Sequence, residues 1–308
     1  MSNPSVRLLF LTTAAEDYLQ DSVFYGLRNL LGDRCVDYPR KDVMYSTSTK
    51  LSSQIYGNGF TVWKLLPELK VDRSEISEKI RRKYFDLIIF GSVGRQQSLI
   101  SEYATVVLRS RTKCVFLDGE DNGGWRKKQL LGLVFPYYKR ERIGLGRLFS
   151  RPISFSIPQE KIRTQFVEKN QLFARHVQCD EAYKISWVQE NCQRSYAFAD
   201  EEEYRDDLAR SYYAITMKKG GWDCMRHYEI AANGAVMAFH DLQVKPEGCA
   251  PHGLTDMENV VAFGTADELV EKMQFIEKDN IFRKIQNASM RWALDHISEI
   301  VASRLLDY

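Results

Sequence analysis

"KKGGWDCMRHYEIAANGAVMAF", residues 218–239, places two lysines and two glycines directly before a helical stretch, then an Asn-Gly break and an apolar run. With a helix beginning near Asp223, 3.6-residue spacing sets Trp222, Arg226, Glu229 and Asn233 on one face. Met225, Tyr228, Ala231 and Ala232 fall on the opposite side, free to pack on a sheet. "YYAIT" before the stretch and "GAVMAF" at its end read as strands. Strand, loop, helix, strand is the repeating unit of a parallel α/β sheet.

The same residues carry chemistry. Gly220 and Gly221 let a ligand approach the backbone, and Lys218 and Lys219 add positive charge. A helix N-terminus offers unpaired N–H groups and the positive end of its dipole, so the combination suits a phosphate. Asp223 works against it, either capping the helix or repelling an anion. Glu229 lies too deep for a phosphate but suits a pair of sugar hydroxyls, because a carboxylate accepts two hydrogen bonds. Together these are the groups a nucleotide-sugar needs. A plainer alternative stays open: Arg226–Glu229 as an i,i+3 surface ion pair worth a few tenths of a kcal/mol, with Gly-Gly a simple turn.

The α/β alternation extends in both directions. Upstream, strands are expected at "VRLLFLTT", "CVDYP", "FDLIIFGS" and "KCVFLDGED". Helices are expected from Glu16 to Gly32, over "SEISEKIRRKY" and over "QQSLISEYATVVLRS", with a long ordered loop at 40–70. Residues 136–160, basic and rich in aromatics and proline, read as the passage between two domains. After it come "SYAFAD" as a strand and "EEEYRDDLARS" as a helix. "NVVAFG" is then a strand and "TADELVEKMQFI" a helix capped by Thr265, before a helical region at 279–305. The expected organisation is an N-terminal domain over 1–150 and a C-terminal domain over 151–308, whose terminal helix packs back on the first. Ligands in such folds bind at the carboxyl ends of the strands.

Bulk properties narrow the class. The chain has 308 residues, with 43 Lys+Arg against 41 Asp+Glu, so no global field calls for nucleic acid. No apolar run approaches the ~18 residues of a membrane span, and the opening stretch fits a first strand better than a leader. Six scattered cysteines without a Cys-x-x-Cys pair fit reduced thiols in the cytoplasm. His176, Cys179 and Cys192 match no zinc spacing, and no metal site is expected. "GLGRL" lacks the third glycine of a dinucleotide fingerprint. The basic, aromatic segment 137–151 is either a solvated linker face or a peripheral membrane contact.

For a base, the strand ends of the first domain offer Asp17, Asp118, Glu120 and Asp121, the last three within "FLDGEDNGG". An acidic turn and, for Asp17, a helix cap are the bland alternatives. His227 points off the proposed face, and His252 lies on a loop after a strand.

The stretch 218–239 resembles the donor-site segment of GT-B glycosyltransferases, in particular the exostosin-like and spore-maturation-type groups, through Arg226, Tyr228, Glu229, Gly234 and "AVMAF". "SFSIPQEKI", "DYLQDSVFYGLRNLLG" and "VFLDGED" are similar to other parts of such proteins. The resemblance implies an α/β chain of two Rossmann-like domains with parallel sheets facing across a cleft. The donor, a UDP- or GDP-linked sugar that is a substrate and not a cofactor, would be held by the second domain, and a glycan or lipid-linked acceptor by the first. Transfer would be metal-independent. Met237 stands seven residues after Glu229, where many retaining members have a second Glu, so retention and inversion both stay open. A nucleotide-sugar epimerase and a non-catalytic nucleotide-binding module are the rival expectations.

Overall fold

The computed structural model describes residues 6–196 and 198–307, and its internal contacts divide it into two compact units. The first runs to Pro158 and also takes Gly248–Ala250 and the segment from Ile297. The second holds Gln159–Glu247 and Pro251–His296.

In the first unit, strands β1 (Leu8–Leu11), β2 (Cys35–Tyr38), β3 (Leu87–Phe90), β4 (Lys113–Asp118), β5 (Tyr137–Lys139) and β6 (Arg151–Pro152) form one parallel sheet among the described residues. Its order is β2-β1-β3-β4-β5-β6. β1 and β3 are buried along their whole length, which is why "LLFL" and "LIIF" are continuous apolar runs and do not alternate. Helix α1 (Tyr18–Leu31) starts where Asp17 accepts from the Leu19 and Gln20 N–H groups, and it stops at Gly32, whose φ of 61° suits glycine. Helices α2 (Ile76–Arg81) and α3 (Gln97–Ser110) flank the same sheet and contribute Ile76, Ile80, Tyr103 and Val107 to its core.

In the second unit, β7 (Gln171–Phe173), β8 (Ser211–Met217), β9 (Val236–His240) and β10 (Val261–Phe263) are parallel, in the order β10-β9-β8-β7. Around them run α4 (Ser186–Asn191), α5 (Glu201–Arg210), α6 (Met225–Ala232), α7 (Ala266–Lys278) and α8 (Phe282–Leu294). Thr265 caps α7 by accepting from Glu268 N–H, while Glu268 reaches back to Gly264 N–H. Phe173, Ile215, Ala238, Val261, Leu269 and Ile285 belong to its core.

Two expectations are corrected. Residues 136–152 are no passage: they supply β5 and β6 to the first sheet, where Lys139 meets the buried Asp118 and Arg140 the exposed Asp121, and the chain leaves the first unit only after Pro158. "SYAFAD" makes no strand among the described residues, and its Ala197 lies outside them. The edge position is taken by β7, whose polar Gln171 gave no apolar signal. Residues 1–5 of the opening stretch also lie outside the described residues. No helix among the described residues is long and apolar enough to cross a membrane.

The last helix, α9 (Ser298–Ser303), packs on α1 within the first unit. Ser298 N–H donates to Ile157 O at 2.9 Å, and Gly26 of α1 meets the Ser298 carbonyl so closely that a Cβ there would lie 2.1 Å from its oxygen. Gly26→Ala therefore displaces α9 and costs about 1–3 kcal/mol of overpacking strain. A urea midpoint equal to wild type would show that the close approach does not constrain the fold.

Candidate functional site

Lys218–Cys224 is the loop leaving the carboxyl end of β8, and α6 begins two residues later than expected, at Met225. Its N-cap is Cys224, which makes no side-chain capping bond. Asp223 is 3% exposed, so it does not face outward, and it accepts from the Tyr228 hydroxyl at 2.7 Å. Tyr228 in turn stacks on Trp292 at 5.0 Å.

Arg226 and Glu229 are half-buried and do not form a direct ion pair; the hydroxyl of Tyr204 on α5 lies between them. Arg226 Nη1 donates to that oxygen at 3.1 Å, and the hydroxyl donates to Glu229 Oε2 at 2.8 Å. Arg226 Nη2 donates to His176 O at 2.7 Å, in the loop that follows β7. Burial works against the guanidinium's charge, but Tyr204 and Glu229 outweigh it and raise the Arg226 pKa. Burial first and the Glu229 charge second push the Tyr204 phenol up. The surface i,i+3 pair is thereby replaced by a three-residue network with Tyr196 beside it, 6.2 Å from Tyr204 between ring centroids.

Lys218 and Lys219 are exposed at the mouth of this loop. Lys218 Nζ lies 5.5 Å from the centre of the Trp222 ring, and Lys219 Nζ donates to Gln178 Oε1. Gly220 is exposed and Gly221 buried, with Lys219 N–H closing on Gly221 O at 3.0 Å. His227, off the polar face, is a core residue: its Nδ1 meets Thr216 Oγ1 at 3.1 Å and its Nε2 meets Trp222 O at 2.9 Å, tying the loop to β8.

Asn233 closes α6 as its C-cap, its N–H donating to Glu229 O at 3.1 Å. It is 3% exposed, and its Nδ2 donates to Glu229 O at 2.9 Å.

In the first unit, the candidate carboxylates gather at the carboxyl ends of β1, β3 and β4 but differ in environment. Asp118 is fully buried and accepts from Tyr137 at 2.6 Å, Lys139 at 3.1 Å and Glu120 N–H at 3.1 Å, with Lys128 at 3.4 Å. Burial opposes its ionised form, yet the two lysines and the Tyr137 hydroxyl hold its pKa below the usual carboxylate range. A saturated, acidic carboxylate is a poor base, and Asp118 joins β4 to β5 through Tyr137 and Lys139. Asp17 is the α1 cap and also accepts from Ser92 Oγ at 2.8 Å. Glu120 and Asp121 keep 41% and 55% of their side chains exposed, beside Lys128 and Arg140.

Sequence reasoning missed a buried network under the loop after β1. Asp21 accepts from Trp63 Nε1 at 2.7 Å and from Gln20 at 2.9 Å, and pairs with Lys41 at 3.1 Å. Lys41 also donates to Thr13 O at 2.9 Å, which fixes that loop. Nothing in the spacing of 21, 41 and 63 announces this. Tyr204 was missed for the same reason, since only its aromatic type inside "EEEYRDD" stood out.

No protein-family model matches the chain, and no curated protein matches it in sequence. Among solved structures, a Rickettsia africae ESF-5 glycosyltransferase is similar with a TM-score of 0.59 at 11% identity, over 98% of this chain and 97% of that one. Anabaena Alr3699/HepE in complex with UDP is similar with a TM-score of 0.57 at 8% identity, over 98% and 99%. The same protein with UDP and glucose gives 0.54 at 9% identity, over 98% of both chains. At such identities the likeness concerns the fold, which is GT-B with two Rossmann-like units.

Tyr204→Phe leaves Arg226 and Glu229 without their shared hydroxyl and lowers stability by about 1–3 kcal/mol; an unchanged urea midpoint would remove the network from the account. Stability also depends on pH. Burial, and for His176 the Arg226 charge, lower the His176 pKa to about 4, and burial lowers that of His227 to about 3. The unfolded chain binds these protons near pH 6.5, so below that pH it holds more of them and the folded state loses up to about 1.4 kcal/mol per unit for each histidine. Urea midpoints should fall steadily from pH 6.5 to pH 5, and a flat profile would contradict the buried neutral rings.

Proposed function

We propose that this chain is a glycosyltransferase that moves a sugar from a nucleotide-sugar to a hydroxyl of a glycan or lipid-linked acceptor. The observation that carries the reading is the outward face of α6. Behind the N-terminus of α6, Tyr204 holds a guanidinium and a carboxylate in fixed positions. The diphosphate is assigned to Lys218, Lys219, the Gly220–Gly221 backbone and the α6 N–H groups, with Arg226 behind them. Glu229 is assigned to the ribose hydroxyls. The fold it shares with HepE, a protein solved with UDP and with UDP-glucose, favours a uridine donor and hexosyl transfer.

The reading retains the exostosin-like and spore-maturation-type resemblance, and it keeps the transfer metal-independent, with the leaving diphosphate neutralised by the cations above. Glu120 is the preferred base in the first unit, because it is exposed where Asp118 is saturated and Asp17 is spent on a cap. Asp121 is the second choice.

The test is a thermal-shift panel of UDP-, GDP-, CMP- and dTDP-sugars on the wild type, Arg226→Ala and Glu229→Ala. At a hundredfold excess over Kd a bound donor stabilises by about 2.7 kcal/mol, a rise of several degrees. Both variants should lose it for the preferred donor. Retention of the wild-type shift by both variants refutes the donor site.

A further inference from the structure

Between β4 and β6 the chain spends its apolar side chains on the surface. Leu133, Val134, Leu145 and Leu148 are 68%, 72%, 65% and 77% exposed, with Leu130 beside them at 45%. They come from two short 3₁₀ turns, Lys127–Leu133 and Gly144–Arg147, and the residues that follow each. The turns are locked side by side. A Cβ on Gly132 would lie 1.9 Å from the Phe149 carbonyl oxygen, Gln129 Nε2 reaches Gly146 O at 3.4 Å, and Ile143 N–H donates to Gly123 O at 2.8 Å. Leu133, Val134, Leu148 and Arg151 line one depression of about 300 Å³. This is a built surface with its leucines outward.

Its charge is one-sided. Arg126, Lys127, Arg147 and Arg151 are exposed around the apolar tips. From residue 125 to 152 the sequence contains a single acid, Glu141, and it is buried 3.2 Å from Arg140. The expectation of a membrane contact through 137–151 rested partly on Lys139 and Arg140, which are buried in ion pairs and take no part. The exposed cations lie on either side of them.

We infer that this face of the first unit docks on an anionic lipid bilayer, with the leucine and valine tips at the acyl boundary and Arg126 and Lys127 among the headgroup phosphates. Exposed apolar clusters of this kind mark interaction sites, and basic residues close to an anionic leaflet are drawn to its surface charge. A second copy of the chain seated on the same face in a two-fold dimer would bring like cations together, which disfavours self-association. The inference is independent of glycosyl transfer, and vesicle binding reads it without any substrate.

The test is flotation of the full chain with phosphatidylcholine vesicles, with and without phosphatidylglycerol, for the wild type, a Leu133→Ser/Leu148→Ser variant and an Arg126→Glu/Lys127→Glu variant. All four positions are exposed, so thermal unfolding should match wild type and serves as the control. The wild type should float with the phosphatidylglycerol vesicles and release as salt rises. The serine variant should lose at least about tenfold in partitioning, and the glutamate variant should lose its preference for the anionic vesicles. Absence of wild-type binding to either vesicle, or serine-variant binding equal to wild type, overturns the inference. So does a wild-type dimer on gel filtration that the serine variant disperses, since the face would then be a protein interface.

Discussion

The phenolic hydroxyl of Tyr204 is the point on which the second unit's polar face turns. A guanidinium and a carboxylate one helical turn apart on α6 would ordinarily meet each other or water. Here the hydroxyl accepts from Arg226 and donates to Glu229, so the two side chains are held in a half-buried setting through a shared partner. The Arg226 contact to His176 O reaches from α6 to the end of β7, and the His227 bonds to Thr216 and Trp222 fix the glycine loop against β8. Two strand ends, one helix face and one loop are thus set by a few hydrogen bonds, and the exposed lysines sit over a rigid base.

The first unit solves a related problem differently. At its strand ends the buried carboxylates, Asp21 and Asp118, are each matched by a buried lysine and further donors. Such pairs seldom add net stability, but they hold loops in one geometry because breaking them strands a charge. Asp118 fastens β4 to β5, and Asp21 with Lys41 fastens the loop after β1. The carboxylates left accessible, Glu120 and Asp121, stand at the rim of this rigid frame, where chemistry on a ligand is feasible. Beyond β5 the chain turns outward with its leucines, and the same pairing that buries Lys139 and Arg140 leaves only the flanking cations for the surface.

How much of this was legible depended on whether the signal was local. The strands of the first sheet announced themselves as apolar runs, Asp17 and Gly32 as the two ends of α1, and Thr265 as a cap. The polar face of α6 followed from helical spacing, and with it the pairing of Arg226 and Glu229. β7 escaped because an edge strand of three residues with a polar start has no pattern of its own, and β5 and β6 were hidden inside a stretch whose basic composition suggested a linker.

The amino-acid order by itself determined the parallel α/β class, the ends of the principal helices, and the gathering of cations, glycines and a carboxylate around one strand-to-helix turn. Those are consequences of backbone sterics and side-chain period, which act over a few residues. Only the tertiary structure decided that Tyr204 stands between Arg226 and Glu229, that Asp118 is consumed by Tyr137 and two lysines, and that α9 returns to Gly26. Each joins groups from 10 to 272 positions apart, and the desolvation of charge that makes such contacts obligatory exists only once the chain has enclosed them.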